Sequence, residues 1–393
     1  MNDYYFRKSF LFLLRIFIFF WKLFFTYILI LLSMTNGSPL VSIAKKMYRP
    51  VALFNSKKVV SRLNWWKEHL PSIQPYYAIK SYSDKCILEI LSKHNIAGFD
   101  VASREEISKV IRYNKPIILS HPFKSIEDIE HAKKTNVSKI VCNTLDEIEK
   151  VLKYYKEADI IWRVKSSEQY SQIKFNSKFG ASLDDSIEAI KLVDNIKGIS
   201  FHVGSKCSNM NAYTLTLNMI KNVLIPEFQN KNRKCELIDI GGGFNDENDI
   251  ISLKEAIKDC DFLKNHMVIA EPGRYFSKNS LTLFTKVIAV KKDYDKYNIY
   301  INDSIYNSFS GKFYDHQEFN PIALYNGELK NCCIWGNTCD SGDMIIDNVM
   351  LPLPKEGDVI QWDSMGAYSI ASSVNGFNGF KKPKIFFDYD NKI

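Results

Sequence analysis

No two cysteines in this chain stand at CxxC spacing, no HExxH occurs, and none of the seven histidines joins a His/Cys cluster of metal-ligand spacing. A protein metal site is therefore not expected. Eight irregularly spaced cysteines fit reduced thiols in a cytoplasmic protein better than a disulfide framework. A low-complexity linker is missing too, as is any internal repeat beyond a strand–helix unit. With 46% hydrophobic and 24% charged residues over 393 positions, the chain can bury a large core in one big domain or two, so disorder is not the default reading. The net charge of +8 is partly concentrated near the start, where Arg7, Lys8, Arg15, Lys22, Lys45 and Lys46 are accompanied by a single acid, Asp3. The remainder mixes both signs and gives a nucleic-acid surface little support.

A long uncharged apolar run is also lacking. Residues 10–33 are almost wholly apolar, but Arg15 and Lys22 interrupt them and leave only Leu23 to Ser33 uncharged, roughly half of the ~20 residues that a spanning helix needs. Lys8, Arg15 and Lys22 are seven apart and form one basic stripe on a helix, the pattern of a segment lying at a lipid surface. Two readings stay open: attachment to a membrane through residues 8–33, or an upstream extension of a chain that starts at Met34.

What is present is a repeat of short β-type runs and amphipathic helical stretches. Eight strand candidates can be counted: Pro75 to Lys80, Ala97 to Ser103, Pro116 to Pro122, Lys139 to Thr144, Ile160 to Lys165, Gly198 to Gly204, Leu237 to Gly243 and Met267 to Gly273. Helical patterns such as Asp84 to His94, Arg104 to Tyr113 and Leu145 to Tyr155 lie between them, which predicts a parallel (β/α)8 barrel. Polar residues at the C-terminal strand ends support closure into a barrel: Lys80, Asp100, Asn143, Arg163, His202, Gly241 to Gly243 and Glu271. Barrel enzymes keep their chemistry on that rim. After Arg274 the runs Thr282 to Lys291, Asn298 to Ile305, Asn331 to Trp335, Asp358 to Trp362 and Lys384 to Asp388 are separated by turn residues without long helices, which predicts an antiparallel β domain. The expected division is an apolar basic segment over 1–34, a strand region over 35–55 that joins the β domain, the barrel over 56–280 and the β domain over 281–393.

The loops after strands seven and eight are the usual phosphate site of such barrels. Here they carry Gly241-Gly242-Gly243 and Glu271-Pro272-Gly273-Arg274. Glycines leave backbone N–H groups open to phosphate oxygens, and Arg274 can add a bidentate contact; a glycine run alone fits a tight turn equally well. Lys80 at the rim suggests a Schiff base to a phosphorylated aldehyde, against the plainer reading of a surface lysine. Glu271 is placed to pair with a pyridinium nitrogen. His202 could stack on a ring or be a satisfied core histidine.

At these residues the chain resembles the barrel-type (fold type III) pyridoxal-phosphate (PLP) decarboxylases, the group of eukaryotic ornithine decarboxylase with arginine and diaminopimelate decarboxylases. The matching stretches are Tyr76 to Lys80, Gly98 to Ser103, Ser200 to Ser205, Asp239 to Phe244, Glu271 to Tyr275, Tyr314-Asp315-His316, Trp335 to Asp340, Met365 to Tyr368 and Phe377 to Phe380, in family order from about residue 39. The resemblance implies an alanine-racemase/ornithine-decarboxylase-like fold and a set of roles. Lys80 holds the cofactor, Glu271 pairs with its ring nitrogen, His202 stacks on it, and Asp100 and Arg163 sit beside it. Ser205, Gly242, Gly243, Arg274 and Tyr368 bind the phosphate. Cys339 protonates Cα after CO2 leaves, Tyr314, Asp315 and Asp340 contact the substrate with the two acids gripping its distal ammonium, and Phe377 is expected as an apolar wall for the scissile carboxylate. The Cys339 and Asp340 loop serves the other subunit of a homodimer, with Lys178 and Asp343 as a cross-subunit ion pair.

Tyr82 departs from the family's usual Asn, Asn337 from its Pro, and the early end implies no degradation tail. A carboxylate facing the ring nitrogen speaks against an alanine-racemase-like activity, where an arginine stands. Two acids at the distal site favour ornithine, giving putrescine and CO2 in polyamine biosynthesis. Lysine and arginine remain alternatives, since one methylene discriminates by only ~1–3 kcal/mol. A non-catalytic, antizyme-inhibitor-like binding protein is a further alternative.

Overall fold

The computed structural model describes residues 39–374 and 376–388. The apolar segment 1–34, and with it the membrane or start-site reading, lies outside the described residues. In chain order the strands are β1 (Val51–Phe54), β2 (Ile73–Ala78), β3 (Gly98–Val101), β4 (Ile117–Leu119), β5 (Lys139–Cys142), β6 (Asp159–Arg163), β7 (Ser171–Ile173), β8 (Ile196–Ser200), β9 (Ser205–Cys207), β10 (Leu237–Asp239), β11 (Met267–Ala270), β12 (Leu281–Asp293), β13 (Lys296–Ile301), β14 (Pro321–Ala323), β15 (Leu329–Trp335), β16 (Met344–Pro352), β17 (Val359–Trp362) and β18 (Lys384–Phe387).

Strands β2, β3, β4, β5, β6, β8, β10 and β11 close into a parallel barrel, so each of the eight expected runs contributes one staple. The helices between them start where the sequence offers caps. Ser125 and Ser182 form capping boxes with Asp128 and Asp185, and Ser103 and Thr144 accept from the N–H groups of Glu106 and Glu147. Each helix then buries one face on the barrel, as Ile148 and Val151 do. Tyr76, Ile118, Val141, Ile161, Leu237 and Ile269 fill the interior as one cluster, so the barrel is a packed core. Gly98 makes room for this filling, because a Cβ there would lie 2.5 Å from the Tyr76 ring.

The second unit is an eight-stranded sheet with the order β14-β17-β12-β13-β15-β16, β1 pairing with β12 and β18 pairing with β1. It is mostly antiparallel, as expected, with two parallel pairings, β13 with β15 and β1 with β18, that alternation alone cannot reveal. Among the described residues of 35–55 only Val51–Phe54 is strand; Pro39–Lys46 is a helix whose Leu40 and Ala44 pack against Val51, Phe284 and Val359. Strands β14 and β16 had no counterpart among the sequence candidates. The two units meet at the barrel mouth, where Tyr368 N–H donates to the Ser81 carbonyl at 3.0 Å.

Candidate active site

A cavity of about 320 Å³ opens at the C-terminal strand ends, roofed by loops of the second unit. Lys80 reaches it from the single turn Ile79–Ser81 that follows β2, Arg163 from the end of β6, His202 from just past β8, Gly242 and Gly243 from the turn after β10, and Glu271 from just past β11. Arg274 opens the short helix Arg274–Ser277, and Tyr314, Asp315 and Tyr368 come from the second unit. Ser205 lies in β9, which pairs with β7 as a small antiparallel flap.

The mouth is divided electrically. Lys80 Nζ sits 3.2 Å from the Asp100 carboxylate, whose other oxygen accepts from Ser120 Oγ. Burial works against the Lys80 charge, but the carboxylates of Asp100 and Glu271 outweigh it and raise its pKa. Glu271 is pushed well above the usual carboxylate range by burial and by Asp100 and Asp239. Asp239 is pushed up to about 7, chiefly by burial, against the Gly241 N–H that it accepts at 2.9 Å. His202 is held well below its ordinary value by burial, with Arg163 and Lys80 adding to the effect. Its Nδ1 accepts from the Gly204 N–H at 3.0 Å, which places the proton of the neutral ring on Nε2. The ring meets Phe175 edge-on at 4.8 Å.

At the other end, Arg274 forks onto the Asp315 carboxylate, with 2.7 Å from Nη1 and a shorter contact from Nη2, and reaches Ser205 Oγ at 3.3 Å. Its guanidinium lies over the Tyr368 ring at 4.8 Å. Gly243 has φ +122°, and a Cβ there would meet the Gly204 carbonyl at 2.9 Å; at Gly242 it would meet the Glu271 carbonyl at 2.7 Å. Both positions therefore require glycine, because neighbouring backbone packs closely against this turn, which itself lines the cavity.

These residues fit pyridoxal phosphate. Glu271 is a buried carboxyl whose pKa is raised by burial and by the neighbouring Asp100 and Asp239 carboxyls, so that end of the cavity, rich in buried acid, accommodates a cationic ring nitrogen. The Arg274 end, with its open glycine turn, accommodates an anion. A lysine amine lines the same cavity.

Three expected residues are placed elsewhere. Cys339, Asp340 and Phe377 do not line the cavity of their own chain. They form a separate cluster on the second unit, where Tyr306 stacks on Phe377 at 4.0 Å and donates to Asp340, and Asn378 Oδ1 accepts from the Cys339 N–H at 3.0 Å. Cys339 is exposed. Asp315 lines the cavity, but its carboxylate is engaged by Arg274 rather than free for an ammonium. Asp343 differs from the ion-pair expectation: it is buried and accepts from Ile305 N–H, Thr338 N–H and Thr338 Oγ1, while Lys178 lies over the Phe179 ring. Asn143 is buried with its Oδ1 unpartnered and does not line the cavity.

Sequence reading missed Ser120, Asp239, His121, Phe175 and Phe179. The first two carried the same signal as their neighbours, a polar residue at the end of a barrel strand; the others sit in loops of no regular pattern. Of the two departures, Tyr82 is buried and its carbonyl accepts from Tyr77 OH at 2.8 Å, and Asn337 N–H donates to the Asp303 carbonyl at 3.1 Å.

Residues 56–278 match the family model described as pyridoxal-dependent decarboxylase, pyridoxal binding domain. A probable ornithine decarboxylase of Dictyostelium discoideum is 32% identical over 84% of this chain and 77% of its own. An antizyme inhibitor 2 of Xenopus laevis is 33% identical over 81% of this chain and 76% of its own. Among solved structures, the Paramecium bursaria Chlorella virus arginine decarboxylase bound to agmatine superposes with a TM-score of 0.84 at 28% identity, covering 89% of this chain and 98% of that one. The cavity, its residues and these matches agree: the chain belongs to the pyridoxal-dependent decarboxylases, enzymes that use pyridoxal phosphate to remove a carboxyl group.

Proposed function

We propose that this chain decarboxylates L-ornithine to putrescine and CO2 as a homodimer whose two active sites are each shared between chains. The observation that carries the reading is the cavity in which Lys80, neutralised by Asp100, stands between a buried acid, Glu271, and a buried arginine, Arg274. Bound pyridoxal phosphate supplies an electron-withdrawing ring that accepts the electron pair left at Cα as CO2 departs. Lys80 is the attachment point, and Asp100 is placed to take the proton its amine must lose. Glu271, as carboxylate, holds the ring nitrogen protonated. Neutral His202 would meet the ring without adding charge, with Arg163 alongside. Arg274, Ser205, Tyr368 and the Gly242-Gly243 turn would hold the phosphate, a role that requires the Arg274 guanidinium to give up Asp315.

Asp315, so released, and Asp340 of a second copy hold the distal ammonium, next to Tyr314. Phe377 of that copy walls off the scissile carboxylate, where poor solvation favours loss of CO2, and its Cys339 delivers a proton to Cα. The exposed, pre-stacked cluster around Cys339 supports this reading, since Cys339, Asp340 and Phe377 do not line the Lys80 cavity of their own chain. A purely binding role, suggested by the likeness to an antizyme inhibitor, leaves the intact Lys80, Asp100, Glu271 and Arg274 set without use.

The test is CO2 release from ornithine, lysine, arginine and meso-diaminopimelate with added cofactor. Ornithine is expected to be fastest; a faster rate on lysine or arginine moves the substrate, and no release from any of them ends the enzymatic reading. Among the described residues no helix is long and apolar enough to cross a membrane. The localisation reading is cytoplasmic, and sedimentation with vesicles of the full chain against one starting at Met34 tests attachment through residues 8–33.

A further inference from the structure

On the barrel face opposite the mouth, a second cavity of about 360 Å³ opens beside the segments that lead into β10 and β11. Lys221, Arg233, Lys234 and His266 line it, and no Asp or Glu does. Lys221, Arg233 and Lys234 are the cations among them, while burial holds His266 below its ordinary pKa. Arg233 is committed to the fold: it donates to the Ile190 and Ile196 carbonyls, each at 2.8 Å, reaches Asp194 Oδ1 at 3.4 Å and lies over the Phe228 ring at 5.2 Å.

The other groups are available. Lys221 and Lys234 are exposed and make no hydrogen bond or ion pair among the described residues. Asp261, whose charge feels Lys221, is itself tied to Lys264 at 2.6 Å. His266 Nδ1 donates to the Cys235 carbonyl at 2.7 Å, which leaves Nε2 without a partner. The walls between these groups are mostly apolar, Phe262 and Pro226 among them, with Gln229 and Asn265 the uncharged polar members. Pro226 has no N–H to give its helix, and the preceding Ile220–Leu224 forms a π turn that carries Lys221 to the cavity. A recess lined by charges of one sign, with low-dielectric walls, concentrates its potential on a ligand of the opposite sign.

We propose that this cavity binds a phosphorylated small molecule with a planar apolar body, its phosphate oxygens held by Lys221 and Lys234 and its body laid against Phe262. The site is separate from the mouth and independent of which amino acid is decarboxylated there.

Calorimetric titration of the cofactor-loaded enzyme, in which the Arg274 end is filled, with pyrophosphate and with ADP tests it. Both probes are expected to bind saturably, ADP more tightly. The double variant Lys221→Ala/Lys234→Ala should weaken both by at least about tenfold, the size of one lost charge-assisted hydrogen bond or more. The control Lys254→Ala/Lys258→Ala, on exposed lysines outside the cavity, should change them by less than about twofold. Phe262→Ala should erase the advantage of ADP, and CO2 release should be unchanged in both lysine variants, which reports an intact fold. Absence of saturable binding, equal losses in the control, or ADP binding no tighter than pyrophosphate overturns the proposal.

Discussion

Around the barrel mouth Asp100, Glu271 and Arg274 are 1%, 7% and 7% exposed, and the charges there answer one another across one cavity. At the tip of the second unit, Cys339 is exposed and Asp340 partly so, on a loop fastened from behind by buried Asp343 and flanked by the Tyr306–Phe377 stack. Both regions are held by hydrogen bonds and ring contacts, but the first lines the Lys80 cavity and the second does not. Burying charge is costly unless it is paired, so the mouth holds its groups in readiness even with Asp315 standing in for an anion on Arg274. Under the proposed function, the surface that encloses the Cys339 cluster belongs to a second copy of the chain.

The contrast breaks most visibly on covalent attachment. Lys80→Ala should lower CO2 release by about 10³-fold or more, the scale of losing a positioned proton-transfer and nucleophilic group, and abolish the yellow of the bound cofactor. Cys339→Ala should lower turnover by about 10²-fold yet leave cofactor affinity, read by equilibrium titration, within about twofold. If both variants lose the cofactor alike, the two regions are not distinct.

Within the mouth, Arg274→Ala should weaken cofactor binding by roughly 10- to 100-fold, the range for charged hydrogen bonds. Asp315→Asn frees the guanidinium and should instead leave cofactor binding equal or tighter while raising the KM for ornithine. A loss of cofactor affinity in Asp315→Asn would show that the carboxylate positions Arg274 rather than competing for it.

Acidity separates the regions more gently. Asp239 in the barrel and Asp303 beneath the Cys339 loop are each pushed up to about 7, chiefly by burial. In the unfolded chain a carboxyl ionises near ~4. Between those values the folded state keeps protons that the unfolded state has lost, so stability falls as pH rises from about 4 to about 7. The melting temperature of the cofactor-free protein should decline across that window. Cofactor, bringing a cation against Glu271 beside Asp239, should flatten the decline in part, and Asp303→Asn should remove much of what is left. The smallest effect is expected for Tyr306→Phe, which deletes a hydrogen bond to the partly exposed Asp340 and should leave the urea unfolding midpoint almost unchanged.

Much of the mouth was legible because a barrel converts strand ends into a site: a polar residue closing each β run, such as Lys80, Asp100 or Glu271, falls on the same rim by topology alone. Family resemblance supplied Cys339 and Phe377, whose positions follow no periodic rule. The pairing of Arg274 with Asp315 was not legible, since residues 41 apart meet only through the docking of one unit on the other. Strand β16 was hidden by its interruptions, Asp347 and Asn348 amid apolar residues, and the parallel register of β13 on β15 is fixed by neighbours rather than by composition. Asp343, matched to an intersubunit contact by its place in the motif, is drawn inward by three local donors that only the folded loop assembles.

The most direct test of the shared site uses two inactive proteins. Lys80→Ala chains and Cys339→Ala chains are dissociated together, allowed to reassociate and assayed for CO2 release from ornithine. Random pairing makes half of the dimers mixed, each with one intact mouth facing one intact Cys339, so recovery of ~a quarter of the wild-type rate is expected. A mixture no more active than its two parents would contradict a site built from the barrel of one chain and the loop of another.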